Sequence, residues 1–330
     1  MSVRCRGIFM AWLAAVFLFT GCSQPAGPSV EIRGAQWYLN GKITCPGTPA
    51  EGLLPNVRMV NATFEDANDP AFDSEANTRQ FLEHLPEYAE AGVRAFTLNL
   101  QGGFPGYEGA VNSAFRPDGS LRSEYLERME RVIRAIGREN AVVILGCYYQ
   151  RQDQILRDSA AVKQGVRNAV RWIRERGLRN VVLEIANEYP HHGFDHPMLR
   201  QPGGIARLIT LAHRTNPKLL VSASGMGNGR TDPTVAEAAD FILIHFNGTP
   251  VEQIPARIEA AKSYGKPVVC NEDNKTGAEA VEALQASVRA GGSWGYMNND
   301  LNQYQPFTWN GTDDDPPVYQ RLTELTSLSR

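Results

Sequence analysis

Short apolar runs alternate with longer amphipathic segments along most of the chain. The runs are five to eight residues long, and the segments between them repeat apolar positions at helical spacing. This alternation is typical of parallel strands covered by helices. The predicted strands lie at residues 57–61, 93–99, 141–148, 181–186, 219–223, 241–245, 267–271 and 293–297. Because eight such strands close a barrel, the pattern predicts a single (β/α)8 TIM barrel of the α/β class.

The segments between the runs predict the outer helices. They lie at residues 78–91, 123–136, 160–176, 204–214, 252–264 and 278–289, with a short one at 233–239. Gly92, Gly177 and Gly265 follow three of these segments, where a left-handed residue commonly ends a helix. An open doubly wound sheet is the alternative fold, but no glycine-rich phosphate loop follows the first strand.

A β-hairpin is predicted ahead of the first barrel strand. Residues 34–42 contain Asn40-Gly41, a pair that favours the positive φ angles of a tight turn. We expect this N-terminal hairpin to cover the bottom of the barrel.

The first residues predict export. Two arginines precede an apolar run over residues 8–19, which is too short for a permanent transmembrane helix. The run ends before Thr20-Gly21-Cys22, which resembles the lipobox of bacterial lipoproteins. We therefore expect residues 1–21 to be a lipoprotein signal peptide and Cys22 to be the lipidation site. An ordinary signal peptide with a chance cysteine is the alternative.

The remaining chain divides into a tether and one domain. Residues 22–33 begin with a run of Ser, Gln, Pro, Ala and Gly, which predicts a flexible tether, and residues 34–330 form the predicted barrel domain. Ser23 follows Cys22 and is not the aspartate associated with inner-membrane retention. We expect the protein to be attached to the outer membrane of a bacterium through Cys22.

Charge and cysteine content narrow the possible functions. The formal net charge is −3, and removal of residues 1–21, with two arginines and no acidic residue, lowers it to −5. A nucleic-acid-binding protein would show clustered Lys and Arg, so nucleic acid is not an expected partner. The odd set Cys45, Cys147 and Cys270 favours buried thiols over disulfides.

The carboxyl ends of two predicted strands carry the main candidate residues. The fourth strand runs into Asn187-Glu188, and the seventh runs into Glu272. Barrel enzymes place their catalytic groups at these strand ends. Two carboxyls about 5 Å apart can serve as nucleophile and acid/base in retaining glycoside hydrolysis. Their proximity is expected to raise the pKa of one of them and keep it protonated.

These motifs resemble those of glycoside hydrolase clan A, especially the family 5 cellulase-like enzymes. The string Glu184-Ile-Ala-Asn-Glu188 is similar to the acid/base motif, and residues 266–272 are similar to the nucleophile motif. The resemblance extends in organisation over residues 37–330. It implies Glu188 as acid/base, Glu272 as nucleophile and Asn187 as a ligand of the sugar 2-hydroxyl, with His245 at the sixth-strand histidine position.

The chain departs from family 5 at several positions. Asn247 stands where the family has a tyrosine that contacts the nucleophile, and Phe96 to Asn99 offer no second-strand arginine. The third strand ends at Tyr148 and not at histidine, and Met297 lies near the usual platform tryptophan. The sequence therefore supports the chemistry of the clan better than membership of family 5.

Further polar and aromatic residues at the strand ends are candidates for sugar binding. Sugar hydroxyls need fixed donors and acceptors, and aromatic rings stack on pyranose faces. The candidate substrate-binding residues are Arg58, Asn99, Tyr148, Asn187, His245, Asn247 and Trp294.

No cofactor is expected, and two alternative functions stay open. The loop after Glu188 contains His191, His192, Asp195 and His196, but this spacing is not a helical zinc motif, so no metal site is predicted. A metal-dependent hydrolase that uses this loop is one alternative. The other is a catalytically silent carbohydrate-binding lipoprotein, which the missing family residues favour.

Overall fold

Eight parallel strands form the centre of the chain in the computed structural model, which describes residues 27–102 and 111–328. Three short antiparallel strands precede them. In chain order the strands are β1 Val30–Arg33, β2 Gln36–Leu39, β3 Lys42–Ile43, β4 Asn56–Arg58, β5 Ala95–Asn99, β6 Val142–Tyr148, β7 Val181–Ala186, β8 Val221–Ser222, β9 Ile242–His245, β10 Val268–Glu272 and β11 Gly295–Tyr296.

The barrel strands form two parallel sheets, which isolated β-bridges join into a ring. One parallel sheet has the order β11-β4-β5-β6-β7-β8, and β9 pairs with β10. Parallel bridges from Ser224 to Leu243 and from Val269 to Ser293 connect the two sheets. The predicted (β/α)8 barrel with its N-terminal hairpin is confirmed.

The helices cover the outside of this ring. They are α1 Ser74–Glu90, α2 Ser123–Arg138, α3 Ser159–Glu175, α4 Pro197–Arg200, α5 Pro202–Thr215, α6 Pro233–Ala238, α7 Ile254–Lys262, α8 Gly277–Arg289 and α9 Pro316–Thr326. In α3, the side chain of Asp158 accepts a hydrogen bond from the backbone N–H of Ala161, which satisfies one of the free donors of the first turn. Gly177, with φ 63°, follows the end of the same helix, as its position after the helical pattern predicts.

The hairpin closes the bottom of the barrel. Its turn at Asn40 and Gly41 has φ angles of 51° and 74°, and the strands on either side of it are β2 and β3. Trp37 and Leu39 of β2 lie in an apolar cluster with residues that face the barrel interior. The Trp37 ring meets that of Phe241 edge to face at 5.3 Å. This cluster fills the lower interior of the barrel.

Several element boundaries differ from the sequence prediction, and in two places the kind of structure differs as well. Residues 30–33 belong to β1, not to a flexible tether, because Val30 and Ile32 pack against the lower cluster while the backbone pairs with β2. The first barrel strand, predicted over residues 57–61, spans Asn56–Arg58, and residues 60–63 form a 3-10 turn.

Several sequence predictions fall on residues that the structure does not describe. The signal peptide, Cys22 and the first part of the tether lie outside the described residues. Over residues 27–102 and 111–328, no helix is long and apolar enough to span a bilayer. Cys45, Cys147 and Cys270 are free and buried, as predicted.

Candidate active site

Glu188 and Glu272 meet at the carboxyl ends of β7 and β10. Glu188 follows β7 by two residues and has a left-handed backbone with φ 49°. Glu272 ends β10 just after an irregularity in its pairing with β9. A carboxylate oxygen of each, with one ring nitrogen of His245, lies within 4.8 Å of the other two. The two strand ends that the sequence singled out therefore bring their carboxyls together.

Arg58 of β4 joins the two strand ends from below. Its Nε lies 3.0 Å from Glu272 Oε2, and its Nη2 donates to Asn187 Oδ1 at 3.0 Å. The side chain of Arg58 is fully buried, whereas 12% of Glu188 and 7% of Glu272 stay exposed. The arginine thus lies deeper than the carboxylates and does not occupy their opening. Arg58 thus supplies, from the first barrel strand, the cation that the resemblance to family 5 leads us to expect on the second strand.

His245 lies between the two carboxylates. Its Nδ1 is 3.4 Å from Glu188 Oε1 and 3.5 Å from Glu272 Oε2. Burial acts to lower the pKa of His245, but the charges of Glu272 and Glu188 outweigh burial and raise this pKa. Burial likewise acts to raise the pKa of Glu188, but the hydrogen bond and charge of His245 and the charge of Arg58 lower it. The direction for Glu188 is therefore opposite to the raised pKa expected for one of the two carboxyls, because His245 and Arg58 lie beside it.

Two amide side chains complete the hydrogen bonds around the carboxylates. Asn247 donates through Nδ2 to Glu272 Oε1, the kind of contact that the family tyrosine makes. Gln150, beyond the end of β6, accepts from Asn187 Nδ2 at 3.2 Å and donates to Glu188 Oε2 at 3.5 Å. Sequence reasoning missed Gln150, although its position two residues after a barrel strand was an available signal.

Asp153 holds the histidine-rich loop after Glu188. This buried carboxylate accepts from the backbone N–H groups of Asp195 and His196, and its Oδ2 lies 2.8 Å from His196 Nδ1. The rings of His191 and His192 stack at 4.4 Å. Across the described ranges, the only three-residue group placed to hold a metal ion is Glu188, His245 and Glu272. The loop does not form the cluster that a metal-dependent hydrolase would need.

Asn99 and Tyr148 do not reach the opening. Asn99 points into the barrel below the carboxylates, where Gly146 leaves room for it: a Cβ there would lie 2.1 Å from Asn99 Oδ1. Tyr148 packs against Phe115, and its hydroxyl donates to the Val162 carbonyl at 2.6 Å. This placement disagrees with the predicted role of Tyr148 in sugar binding.

Trp294 also faces away from the site. Neighbouring residues of a strand point to opposite faces, and Gly295 faces the barrel interior, since a Cβ there would meet Asn56. Trp294 therefore points toward the helices, where it is fully buried and its indole N–H donates to Asp273 at 2.8 Å. The placement leaves it no face for a sugar ring.

Comparisons with known proteins agree with this architecture. No protein-family model matches the sequence, and no curated protein matches it. A putative glycoside hydrolase from Bacteroides vulgatus superposes with a TM-score of 0.64 at 13% identity, over 91% of this chain and 60% of that one. A GH5-4 broad specificity endoglucanase from Clostridium longisporum gives 0.60 at 11% identity, over 86% and 99%. A β-1,4-D-mannanase from Cryptopygus antarcticus gives 0.60 at 13% identity, over 90% and 94%.

These similarities define the fold class. The chain has the α/β barrel fold found in structures of family 5 glycoside hydrolases. At such low identity the likeness concerns the fold alone, so the argument for a function depends on the site.

Proposed function

We propose that this protein is a retaining glycoside hydrolase that cleaves O-glycosidic bonds in poly- or oligosaccharides. The observation that carries the proposal is the separation of the two carboxylates, whose nearest oxygens lie within 4.8 Å. Retaining enzymes have their two carboxyls about 5 Å apart, whereas inverting enzymes need about 6.5–9.5 Å for an intervening water.

Glu272 is the proposed nucleophile. Arg58 and Asn247 hold its two oxygens, so one carboxylate orientation is fixed before substrate arrives. Attack on the anomeric carbon forms a glycosyl ester with Glu272 and breaks the bond to the leaving oxygen. As the ester forms, the negative charge of Glu272 is lost.

Glu188 is the proposed acid/base. In the first step its proton passes to the leaving oxygen, and in the second step its carboxylate takes a proton from the water that cleaves the ester. Its lowered pKa in the free site suits the second step. Substrate displaces water from the carboxylate, and this desolvation raises the pKa toward the value that the first step needs.

Asn187 is the proposed ligand of the sugar 2-hydroxyl. Its Oδ1 already accepts from Arg58, and its Nδ2 donates to Gln150. A hydroxyl that replaced Gln150 as acceptor would lie next to both carboxylates, where a hydrogen bond can strengthen in the transition state.

The silent carbohydrate-binding alternative loses part of its support. It depended on the missing family arginine, histidine and tyrosine. Arg58 and Asn247 make contacts with Glu272 of the kind that the arginine and the tyrosine make, whereas Tyr148, at the histidine position, donates to the Val162 carbonyl. Carbohydrate is the proposed partner in either case.

The mechanism is tested by replacing each glutamate singly with glutamine. E188Q and E272Q are each expected to lower kcat at least about 1,000-fold on a substrate that the wild type cleaves. The matched control is E279Q, on the exposed side of α8. The first panel comprises β-1,4-glucan, β-1,4-mannan and aryl β-glycosides. NMR of the first-formed sugar is expected to show retention, and inversion or wild-type activity in both variants would refute the proposal.

Export and lipidation at Cys22 form a separate proposal supported by residues 1–23 of the sequence. Expression in a Gram-negative host with labelled palmitate is expected to label the full chain and place it in the outer-membrane fraction. C22S should lose the label. A labelled C22S protein, or an unlabelled wild type, would contradict the anchor.

A further inference from the structure

A third glutamate lies inside the barrel, below the two proposed catalytic carboxyls. Glu184 of β7 is fully buried. Its Oε1 accepts a hydrogen bond from Ser224 Oγ, and its Oε2 accepts one from Asn271 Nδ2 at 3.3 Å. Burial of a carboxyl is costly unless the group is hydrogen-bonded or paired with a charge. Glu184 takes no chemical step in the proposed mechanism.

One partner of Glu184 leads directly to Glu188. Ser224 Oγ, while donating to Glu184, accepts the backbone N–H of Glu188 at 2.9 Å. The carbonyl of Ser224 accepts the N–H of Tyr189 at 3.0 Å. The serine therefore fixes the peptide groups on both sides of Glu188.

This fixation matters because of the backbone at Glu188. A left-handed conformation is unfavourable for a residue with a Cβ, and it persists only where the surroundings determine it. At φ 49°, Glu188 needs such support. Loss of the Ser224 hydrogen bond would let the residue relax and move its carboxyl.

The other partner leads to Glu272. Asn271 directly precedes Glu272, at the point where the pairing of β10 with β9 becomes irregular. Its Oδ1 has no hydrogen-bond partner among the described residues, so within this region Glu184 is the partner that fixes the amide. Glu184 thus contacts Ser224, which binds the backbone of Glu188, and Asn271, which directly precedes Glu272.

We propose that Glu184 is a positioning residue which, through Ser224 and Asn271, sets the separation and orientation of Glu188 and Glu272. The inference depends on the proposed glycosidase function. It also explains a polar side chain in the middle of a barrel interior that branched apolar residues usually fill. Burial raises the pKa of Glu184, while the charges of His245 and Arg58 act to lower it.

The test uses two buried serines of the same strand region. S224A removes the hydroxyl that joins Glu184 to Glu188, whereas S222A removes a hydroxyl that donates only to the Phe241 carbonyl. Both changes are small and buried, but S224A leaves Glu184 Oε1 and the Glu188 N–H without this partner, so S224A is expected to be the less stable of the two. The melting temperature of each variant checks this.

The readout is the dependence of kcat/KM on the leaving group. The probes are 2,4-dinitrophenyl, 4-nitrophenyl and phenyl β-glycosides of a sugar that the wild type cleaves. A misplaced acid/base slows departure of the poor phenol leaving group and spares the dinitrophenol, which needs no proton. We expect S224A to lose about 10- to 100-fold on the phenyl glycoside and less than about threefold on the dinitrophenyl glycoside.

E184Q provides a second, independent variant. Glutamine keeps the shape and an acceptor for Ser224, and rotation of the Asn271 amide would let it pair there. We expect E184Q to retain activity within about fivefold. E184A should show the leaving-group dependence of S224A together with a loss on the dinitrophenyl glycoside, because Asn271 and the adjoining nucleophile lose their partner as well. An S224A profile that matches S222A, or an E184Q defect as large as that of E184A, would overturn the proposal.

Failure of this inference is distinguishable from failure of the proposed function. If E188Q and E272Q are inactive while S224A behaves like S222A, only the role of Glu184 is wrong. If both glutamine variants keep wild-type activity, the glycosidase assignment itself is wrong.

Discussion

Removal of the Trp37 side chain is expected to destabilise the whole barrel. Trp37 is 1% exposed, packs on Phe241 and belongs to the cluster that fills the barrel bottom. A buried tryptophan removes about 150–250 Å² from water, which at about 25 cal/mol per Å² gives an upper bound of about 4–6 kcal/mol. The measured range for such truncations is about 3–5 kcal/mol. For a chain of 330 residues, that corresponds to a fall in Tm of roughly 4–7 °C.

The assay compares W37A with two controls in urea unfolding and thermal melts. The neighbouring Tyr38 is only half-buried and stacks on Arg33 at 4.5 Å, so Y38A should cost less than about 1 kcal/mol. W37F should cost less than W37A, because a smaller aromatic ring stays in the cluster and the indole N–H that is lost has no partner among the described residues. If W37A is no less stable than Y38A, the hairpin does not close the core as described here.

Three further predictions concern the site and the surface. N247A removes a donor to the charged Glu272 and should lower kcat/KM about 10- to 100-fold with little change in Tm. In pH profiles of a substrate whose first step limits kcat, the alkaline limb, which reports loss of the Glu188 proton, should lie at higher pH in kcat than in kcat/KM, because kcat reports the desolvated complex; identical limbs would count against the proposed effect of substrate. His213 has a raised pKa because it hydrogen-bonds Asp240 at 2.8 Å, so its contribution to stability is complete below its unfolded pKa and is lost as pH rises through its folded pKa. H213Q should therefore be destabilised by about 0.5 kcal/mol at pH 5.5 and by less at pH 8.5, in denaturant titrations.

The sequence predicted the elements that repeat and the residues at their ends. Periodic apolar runs placed β7 at its observed bounds, and strand-end position was enough to select Glu188 and Glu272. Both signals depend on residues that are close together in the sequence, so the sequence alone contains them.

Contacts that depend on three-dimensional register were not predicted. Arg58 was a generic candidate, and its pairing with Glu272 joins the first barrel strand to the seventh. Trp294 was expected in the cleft. Whether a strand residue faces the interior or the helices depends on the strand register, and a shift of one residue moves each side chain to the opposite face. Ser224 was missed because a serine at a strand end has no motif, and its importance comes from the backbone of Glu188.

The position of the hairpin has a consequence for access to large substrates. β1 and Trp37 lie at the base of the barrel, and the carboxylates open at its opposite rim. A protein held at a surface through the residues before Val30 would turn its base toward that surface and its opening toward the surroundings. A long polymer could then enter the opening from outside without approaching that surface, and the length of the attachment would limit how far the opening reaches.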